Sequence, residues 1–484
     1  MNGIDRSFFS ARKWLEYAYR YARALRLSPY GLVGVMLARM SALTPPNVVA
    51  QLTPHDMPMT LNVNVALVGP TGSGKGRVMG QARHLMPTPP LCTLEEVKPK
   101  TGESIPAKFI AKVPAVDGDG KQIKGEYMDK VMTDRCLLYM PEVVSLKAAM
   151  SRQGSTILPT LLESFSNEPL GDDTKGRQYQ IKLPSYAYRL ASVVGVQPSN
   201  AGVLFDEAQT GLAGRFAYMP SVDADAPAKR PNPPTRPFPY DPCRIPEGNG
   251  LEALAALLEH GSLDNMPKNG PNSREGYPLK AISFPSAATE YADHMQRLSV
   301  LGQATALDAH RVELVARFAA LLALMDYRLD VNMEDWQLAM SFMDVSDRIR
   351  AECLEQSRRS AVDFQAEQIS VKRDAEEQAN AQIIERAKVR LLDLLDTLDP
   401  TREGITERDL RNRLSPPQRK VMGDALTDLY KGGKNRSQRG TAGRGHIFPI
   451  SRMTSVYIST PTPVRVSAIY MTYLHMSTSA LTCR

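Results

Sequence analysis

The sequence predicts an α/β fold built around a parallel β-sheet. Three short apolar runs, at residues 62–68, 135–140 and 190–196, each have the length and composition of a strand buried on both faces. Helical patterns lie between these runs, and strands that alternate with helices usually pair in parallel. With 484 residues, 43% of them hydrophobic and 23% charged, the chain can bury a sizeable core and has room for about three domains.

The first of these strands runs directly into a glycine-rich loop. Its eight residues are Gly69, Pro70, Thr71, Gly72, Ser73, Gly74, Lys75 and Gly76. The glycines allow a tight turn whose N–H groups point at one anion. Lys75 begins the next predicted helix, where its ammonium reaches the β- and γ-phosphates, whereas Gly76 replaces the Ser or Thr that normally holds Mg²⁺. This pattern predicts a nucleoside triphosphate site.

Polar residues follow the other two strands. Glu142 comes directly after the second strand and is a candidate for the carboxylate that polarises an attacking water. Pro141 stands where an Asp usually supports Mg²⁺, so the protein ligands of a metal stay unassigned. Gln197 and Asn200 follow the third strand, where either could contact the γ-phosphate, position water or be an ordinary strand-end amide. Arg215 is placed like a finger that reaches a phosphate bound by a neighbouring subunit.

The order of these four motifs resembles that of the AAA+-like ATPases of plasmids, phages and integrative elements. It is distantly similar also to minichromosome-maintenance helicases, whose arginine finger lies in a comparable Arg-Phe motif. The resemblance implies a P-loop ATPase that binds ATP and Mg²⁺ and uses Glu142, Gln197 and Arg215 in catalysis. It also implies a homo-oligomer, for which a ring is one arrangement. It also implies that Arg311 or Arg317, near the start of a lid helix, contacts the nucleotide.

The resemblance and the composition divide the chain into seven parts. These are an N-terminal helical domain (1–60), the ATPase core (61–225), a Pro-rich strap (226–250), a helical lid (251–350), a charged helical connector (351–386), a winged helix (387–452) and a tail of unassigned role (453–484).

Positive charge concentrates near the C-terminus. Eight Lys and Arg residues face two Asp residues between residues 415 and 452, as expected of a module that binds a polyanion. The sequence predicts three helices here, at 387–398, after Thr406 and from Ser415 to about Tyr430. Gly432 and Gly433 end the last of them, and a basic wing follows at 440–450. They resemble a winged helix-turn-helix, which binds DNA or docks a protein. The candidate DNA-binding residues are Arg419, Lys420, Arg439 and Arg444, together with Lys175 and Arg177 in a predicted hairpin at 166–184.

The remaining composition limits the class of protein. Five dispersed cysteines without a C-x-x-C pair predict neither a disulfide framework nor a zinc site. The first twelve residues lack the apolar segment of a signal peptide, and the apolar stretch 30–43 is too short to span a bilayer, so we expect a cytoplasmic protein without a membrane partner.

Three functions are compatible with these patterns. The leading one is an ATP-dependent DNA motor, helicase-like, in the replication of a mobile element, and the arginine-finger-like motif favours it. The second is a DNA-binding initiator that uses ATP as an assembly switch, which the missing Mg²⁺ ligands favour. The third is a P-loop remodeller of proteins whose winged helix docks a protein.

Overall fold

The computed structural model describes residues 4–90, 92–150, 152, 155–171, 180–205, 211–270, 273–303, 305, 307–398 and 406–439, with the backbone alone for 433–439. Its strands are β1 (Val48–Gln51), β2 (Asn64–Val68), β3 (Leu94–Val97), β4 (Ile110–Val116), β5 (Gln122–Val131), β6 (Arg135–Met140), β7 (Arg189–Val196), β8 (Phe216–Pro220) and β9 (Lys280–Ser283).

The α-helices cover most of the remaining described chain. They are α1 (Arg6–Ser10), α2 (Lys13–Ala24), α3 (Pro29–Leu43), α4 (Lys75–Leu85), α5 (Pro106–Phe109), α6 (Val143–Met150), α7 (Ile157–Ser166), α8 (Gly202–Phe205), α9 (Gly250–His260), α10 (Ser286–Val300), α11 (Arg311–Met325), α12 (Met333–Leu398), α13 (Glu407–Asn412), α14 (Pro416–Lys420) and α15 (Met422–Arg439). None of these described helices is both long and apolar enough to cross a membrane.

A five-stranded parallel sheet forms the centre of the fold. Its strand order is β3-β6-β7-β2-β8. Val65 of β2 lies opposite Val193 of β7, and Leu138 of β6 lies opposite Ser192. The predicted α/β class with a parallel sheet is therefore confirmed, and β2, β6 and β7 are the three strands expected from the apolar runs.

Both faces of the sheet are covered, which explains why its strands are continuously apolar rather than alternating. Successive side chains point to opposite faces, so that Val65 and Leu67 enter one hydrophobic core while Ala66 and Val68 enter the other. The first core contains α1–α4 and α11, and the second contains α5–α9. Two smaller sheets accompany this layer: the parallel pair β1–β9 and the antiparallel hairpin β4–β5.

The N-terminal helices belong to the same compact unit as the sheet. This unit comprises residues 1–361. All fifteen residues of α3 are buried, because this helix packs between α2 and α4 and against the sheet. The segment 1–60, expected as a separate helical domain, is thus one wall of the first core, since its apolar stripe has the sheet as its partner.

The second compact unit begins at Val362, within α12. α12 runs without interruption through segments that the sequence assigns to the lid, the connector and the winged helix. A small core contains Ala387 and Leu391 of α12, Leu410 of α13 and Ala425 of α15.

The C-terminal helices differ in part from expectation. Thr406 caps α13, since its side chain accepts a hydrogen bond from the Asp409 N–H, as predicted. The single helix expected from Ser415 to Tyr430 is instead two, α14 and α15, separated at Val421. The predicted stop at Gly432 is wrong, because α15 continues to Arg439 and a glycine costs a helix only about 1 kcal/mol. The predicted wing (440–450) and the tail (453–484) lie outside the described residues.

Candidate functional site

The loop 69–76, Glu142 and Gln197 lie at one edge of the central sheet, here called the carboxyl edge because β2, β6, β7 and β8 all end there. Val68 of β2 lies opposite Val196 of β7 and Pro220 of β8. Met140 of β6 lies opposite Val194. The loop 69–76, Glu142 and Gln197 therefore follow neighbouring strand ends, as parallel pairing requires.

The loop 69–76 is a tight turn with two left-handed glycines. Gly72 and Gly74 have φ angles of 77° and 85°, in the left-handed region that favours glycine. Gly74 is also the N-cap of α4, so the loop ends at the positive end of an eleven-residue helix. The first exposed N–H groups of α4 and those of the turn can together surround one anion.

Lys75 lies at the mouth of this loop. Its Nζ donates hydrogen bonds to the carbonyl oxygens of Gly69 and Pro70, each at 2.9 Å. Burial lowers the pKa of Lys75, and the nearby Glu142 carboxylate acts in the opposite direction.

Ser221, directly after β8, supports the loop from the neighbouring strand. Its hydroxyl lies 2.7 Å from the hydroxyl of Ser73, and its N–H donates to the Val68 carbonyl. A Cβ on Gly69 would lie 2.0 Å from Ser221 Oγ. The close approach of Ser221 thus favours glycine at position 69, which the sequence motif alone does not indicate.

Glu142 is exposed beyond the end of β6. Its side chain makes no hydrogen bond or ion pair with a residue that the structure describes. The adjacent Pro141 carbonyl passes so close to β7 that a Cβ on Gly195 would lie 2.0 Å from its oxygen and 3.4 Å from Lys75 Cδ. Gly195 therefore lets the end of β6 approach Lys75. A lone glycine in the Val-Val-Gly-Val run was the available signal for this contact.

Gln197 and Asn200 lie side by side at the end of β7. The Asn200 amide donates to Gln197 Oε1 at 3.3 Å, and neither side chain is fully buried. Because Gly69 N–H donates to the Val196 carbonyl, Gln197 begins next to the start of the loop. Of the two candidates, Gln197 is the nearer to the loop along β7.

Arg215 lies at the opposite edge of the sheet, here called the amino edge. It immediately precedes Phe216, which pairs with Asn64, the first residue of β2. The loop 69–76 follows the last residue of β2, about 13 Å farther along at roughly 3.3 Å per residue. Arg215 lines a cavity of about 370 Å³. The other lining residues are Leu158, Pro159, Leu162, Glu163, Ser166 and Glu168. Arg215 therefore starts far from the loop of its own chain.

Arg311 and Arg317, the two arginines expected to contact the nucleotide from the lid, are both engaged in other interactions. Arg317 is 2% exposed and donates to the carbonyls of Asn62 and Phe165 at the amino edge. Arg311 forms ion pairs with Asp344 and Asp347, both at 2.6 Å. The lid expectation for Arg317 is wrong in this structure, because its helix α11 packs against the amino edge.

The candidate DNA-binding residues are only partly described. Arg419 and Lys420 are exposed on α14, and Arg419 donates to the carbonyls of Leu414 and Asn412. The side chain of Arg439 lies outside the described residues, as do Lys175, Arg177 and Arg444. The predicted hairpin at 166–184 is described only at its base, where Leu170 and Leu183 form an antiparallel bridge.

The carboxyl edge offers oxygen atoms for a magnesium ion. Among the described residues, no group of three or more His, Cys, Asp and Glu side chains could hold a metal. Mg²⁺ at nucleotide sites takes most of its ligands from phosphates and water, with one or two carboxylates from the protein. Glu142, an exposed carboxylate, fits that limited requirement.

Comparison with known proteins adds no family to this description. No protein-family model matches the chain, and no curated protein matches it.

Proposed function

We propose that this protein is an ATP-hydrolysing motor that acts on DNA, helicase-like, in the replication of a mobile genetic element. The observation that carries the proposal is the loop 69–76 at the carboxyl edge. Its left-handed glycines and the start of α4 form an anion site, and an exposed carboxylate, Glu142, follows a nearby strand. The order of motifs supports the same class, through its resemblance to AAA+-like ATPases.

The surroundings of the loop, Lys75, Glu142 and Gln197 suit a different role for each in ATP binding and hydrolysis. The N–H groups of the loop and of α4 hold phosphate oxygens. Lys75 exchanges its two loop carbonyls for the β- and γ-phosphates, which are stronger partners because they carry full charge. Glu142, which has no side-chain partner in the part of the chain that the structure describes, accepts a proton from the attacking water. Gln197 orients that water, and a magnesium ion, when bound, neutralises phosphate charge.

Arg215 acts in this proposal on the nucleotide of a neighbouring copy. Its position at the amino edge separates it from the loop of its own chain. A homo-oligomer in which the amino edge of one copy faces the carboxyl edge of the next would bring Arg215 to a bound phosphate. Charge that develops there during phosphoryl transfer is then stabilised by the guanidinium.

Contact with DNA is assigned to the second unit. Arg419 and Lys420 are exposed there, at the beginning of the most basic part of the chain. Cations in such an arrangement bind phosphates of the nucleic acid backbone and release counterions.

The proposal is tested first by the variant Lys75→Ala. We expect its affinity for a fluorescent ATP analogue to fall roughly a hundredfold or more, because the one full positive charge of the loop is lost. Lys124→Ala, on the exposed hairpin β4–β5, is the matched control and should bind like the parent. Unchanged affinity of Lys75→Ala would exclude the loop as the nucleotide site.

One observation favours the assembly switch as the second candidate. Gly76 and Pro141 have no side-chain oxygen, whereas ATPases with this loop usually hold Mg²⁺ through side chains at these two positions. A switch would bind ATP and change its oligomeric state on DNA without multiple turnover. Phosphate release measured with and without single-stranded DNA separates the two, since only the motor releases phosphate continuously.

A further inference from the structure

The missing hydroxyl of the loop has a counterpart on β6, the second strand from β2 in the sheet. A Cβ built on Gly76 lies 3.5 Å from the hydroxyl oxygen of Tyr139. Gly76 is where a side-chain hydroxyl is expected in this type of loop. The phenolic oxygen of Tyr139 thus lies beside the space that a Ser or Thr side chain would occupy.

Nothing in the local structure requires glycine at position 76. Its φ angle is not among the left-handed angles of this chain, unlike those of Gly72 and Gly74. A distance of 3.5 Å to Tyr139 is also an ordinary van der Waals contact, so a small side chain would fit. The glycine therefore leaves room beside Tyr139 rather than relieving strain or a clash.

The Tyr139 hydroxyl is available for a ligand. Its ring is half-buried against the first hydrophobic core, on the sheet face that α4 covers. The hydroxyl makes no hydrogen bond with a residue that the structure describes. Burial raises the pKa of Tyr139, so this hydroxyl keeps its proton at neutral pH, and its oxygen can also accept a hydrogen bond from a metal-bound water.

We propose that Tyr139 is a positioning residue that supplies, from β6, the hydroxyl that the loop lacks at Gly76. This inference rests on the proposed nucleotide site. The hydroxyl contacts the hydrated magnesium ion of a bound nucleoside triphosphate, while the loop and Lys75 hold the phosphates. Tyr139 would thereby restore metal-dependent binding to a loop that has lost its usual metal-side group.

The test compares nucleotide binding with and without the metal. Affinity for a fluorescent ATP analogue is measured in Mg²⁺ and in EDTA for the parent, Tyr139→Phe, Gly76→Ser/Tyr139→Phe and Lys75→Ala. Tyr139→Phe keeps the buried ring and loses only the hydroxyl. We expect it to lose about three- to tenfold of the tightening that Mg²⁺ gives, the range of one hydrogen bond, with unchanged affinity in EDTA.

Gly76→Ser should restore the lost tightening in the Tyr139→Phe background, because its hydroxyl enters the same space. The matched control is Tyr17→Phe, since Tyr17 is also half-buried but packs against Tyr21 and Phe238 on α2's side of the core. Tyr17→Phe should keep the parental response to Mg²⁺. Urea unfolding of each variant verifies that the fold is intact.

The outcomes separate this inference from the proposed function. A Tyr139→Phe protein with the parental response to Mg²⁺ would overturn the role of Tyr139, as would a parent that binds equally well in EDTA. Failure of Gly76→Ser to restore the response would overturn the shared position of the two hydroxyls. In each case a loss of binding in Lys75→Ala would leave the nucleotide site standing, whereas unchanged binding in Lys75→Ala would overturn both.

Discussion

The charged residues at the two edges of the central sheet differ in exposure and in hydrogen bonding. At the carboxyl edge, Glu142 is exposed without a side-chain partner among the described residues, and Lys75 holds only carbonyls and a hydroxyl of its own loop. At the amino edge, Arg189 and Arg317 are buried and donate to backbone carbonyls from several segments. One edge keeps its charges available, and the other uses them to join strands, helices and loops.

The difference lies in what surrounds each charge, not in the residue type. Burial lowers the pKa of Arg189 to about 9, with the neighbouring cations Arg135 and Arg317 adding to the effect. A buried cation is tolerated only when its N–H groups are hydrogen-bonded. Arg189 meets this condition with three carbonyls and the side chains of Thr60 and Asn62. Arginine is therefore structural here, and an arginine in a motif is functional only where a ligand can reach it.

Substitution of Arg215 should have the largest effect, because this residue lies at the amino edge and is nonetheless assigned to catalysis. If Arg215 reaches a phosphate on a neighbouring copy, Arg215→Ala should keep ATP affinity and lose about 10³- to 10⁵-fold in turnover. Mixing it with Lys75→Ala protein should restore part of the activity, since each supplies what the other lacks. Arg236→Ala, exposed in the Pro-rich strap, is the control. Parental turnover in Arg215→Ala would make it another structural arginine of this edge.

Substitution of Glu142 tests whether the carboxyl edge supplies the proton acceptor for hydrolysis. Glu142→Gln removes only the proton-accepting oxygen, so ATP binding should persist while single-turnover hydrolysis falls about 10²- to 10⁴-fold. Glu126→Gln on the exposed strand β5 should hydrolyse at the parental rate. Equal rates for the two variants would remove Glu142 from the mechanism.

Arg189 tests the structural role of the amino edge. Arg189→Ala leaves buried carbonyls of Thr44, Pro45 and Val48 without their donor, and we expect the free energy of unfolding in urea to fall by about 3–5 kcal/mol. Arg359→Ala, an exposed arginine of α12, should change it by less than about 1 kcal/mol. A loss for Arg189→Ala no larger than that control would mean that water replaces the arginine at this edge.

The exposed cations of the second unit give the smallest expected effect. Replacing Arg419 and Lys420 by Ala should lower the slope of log affinity for duplex DNA against log salt by about one per residue. Arg358 and Arg359, two consecutive exposed arginines of α12 that belong to the first unit, provide a control of equal charge. If both pairs leave the slope unchanged, α14 does not contact DNA phosphates, and the role of the second unit moves toward docking a protein.

Local pattern was sufficient for much of the first unit and for one helix cap of the second. The apolar runs predicted β2, β6 and β7 to within about two residues, because a strand buried on both faces leaves a continuous signal in the chain. The helix after Lys75 and the cap at Thr406 were also readable, since both depend on residues a few positions apart. Helix length was less accessible. α12 crosses the expected boundaries at 350 and 386, since no Gly or Pro interrupts it, and α15 passes Gly432, since a glycine costs a helix only about 1 kcal/mol.

The sequence by itself determined the α/β class, the strand that leads into the loop 69–76, and the chemistry that Lys75 and Glu142 can offer. Only the tertiary structure decided which residues those groups meet. The strand order places Tyr139 beside Gly76 and Ser221 beside Gly69, and it puts Arg215 and Arg317 at the edge opposite the loop. The physical reason is range: periodicity and turn chemistry act between near neighbours in the chain, whereas the surroundings of a side chain are set by elements that pair across the sheet.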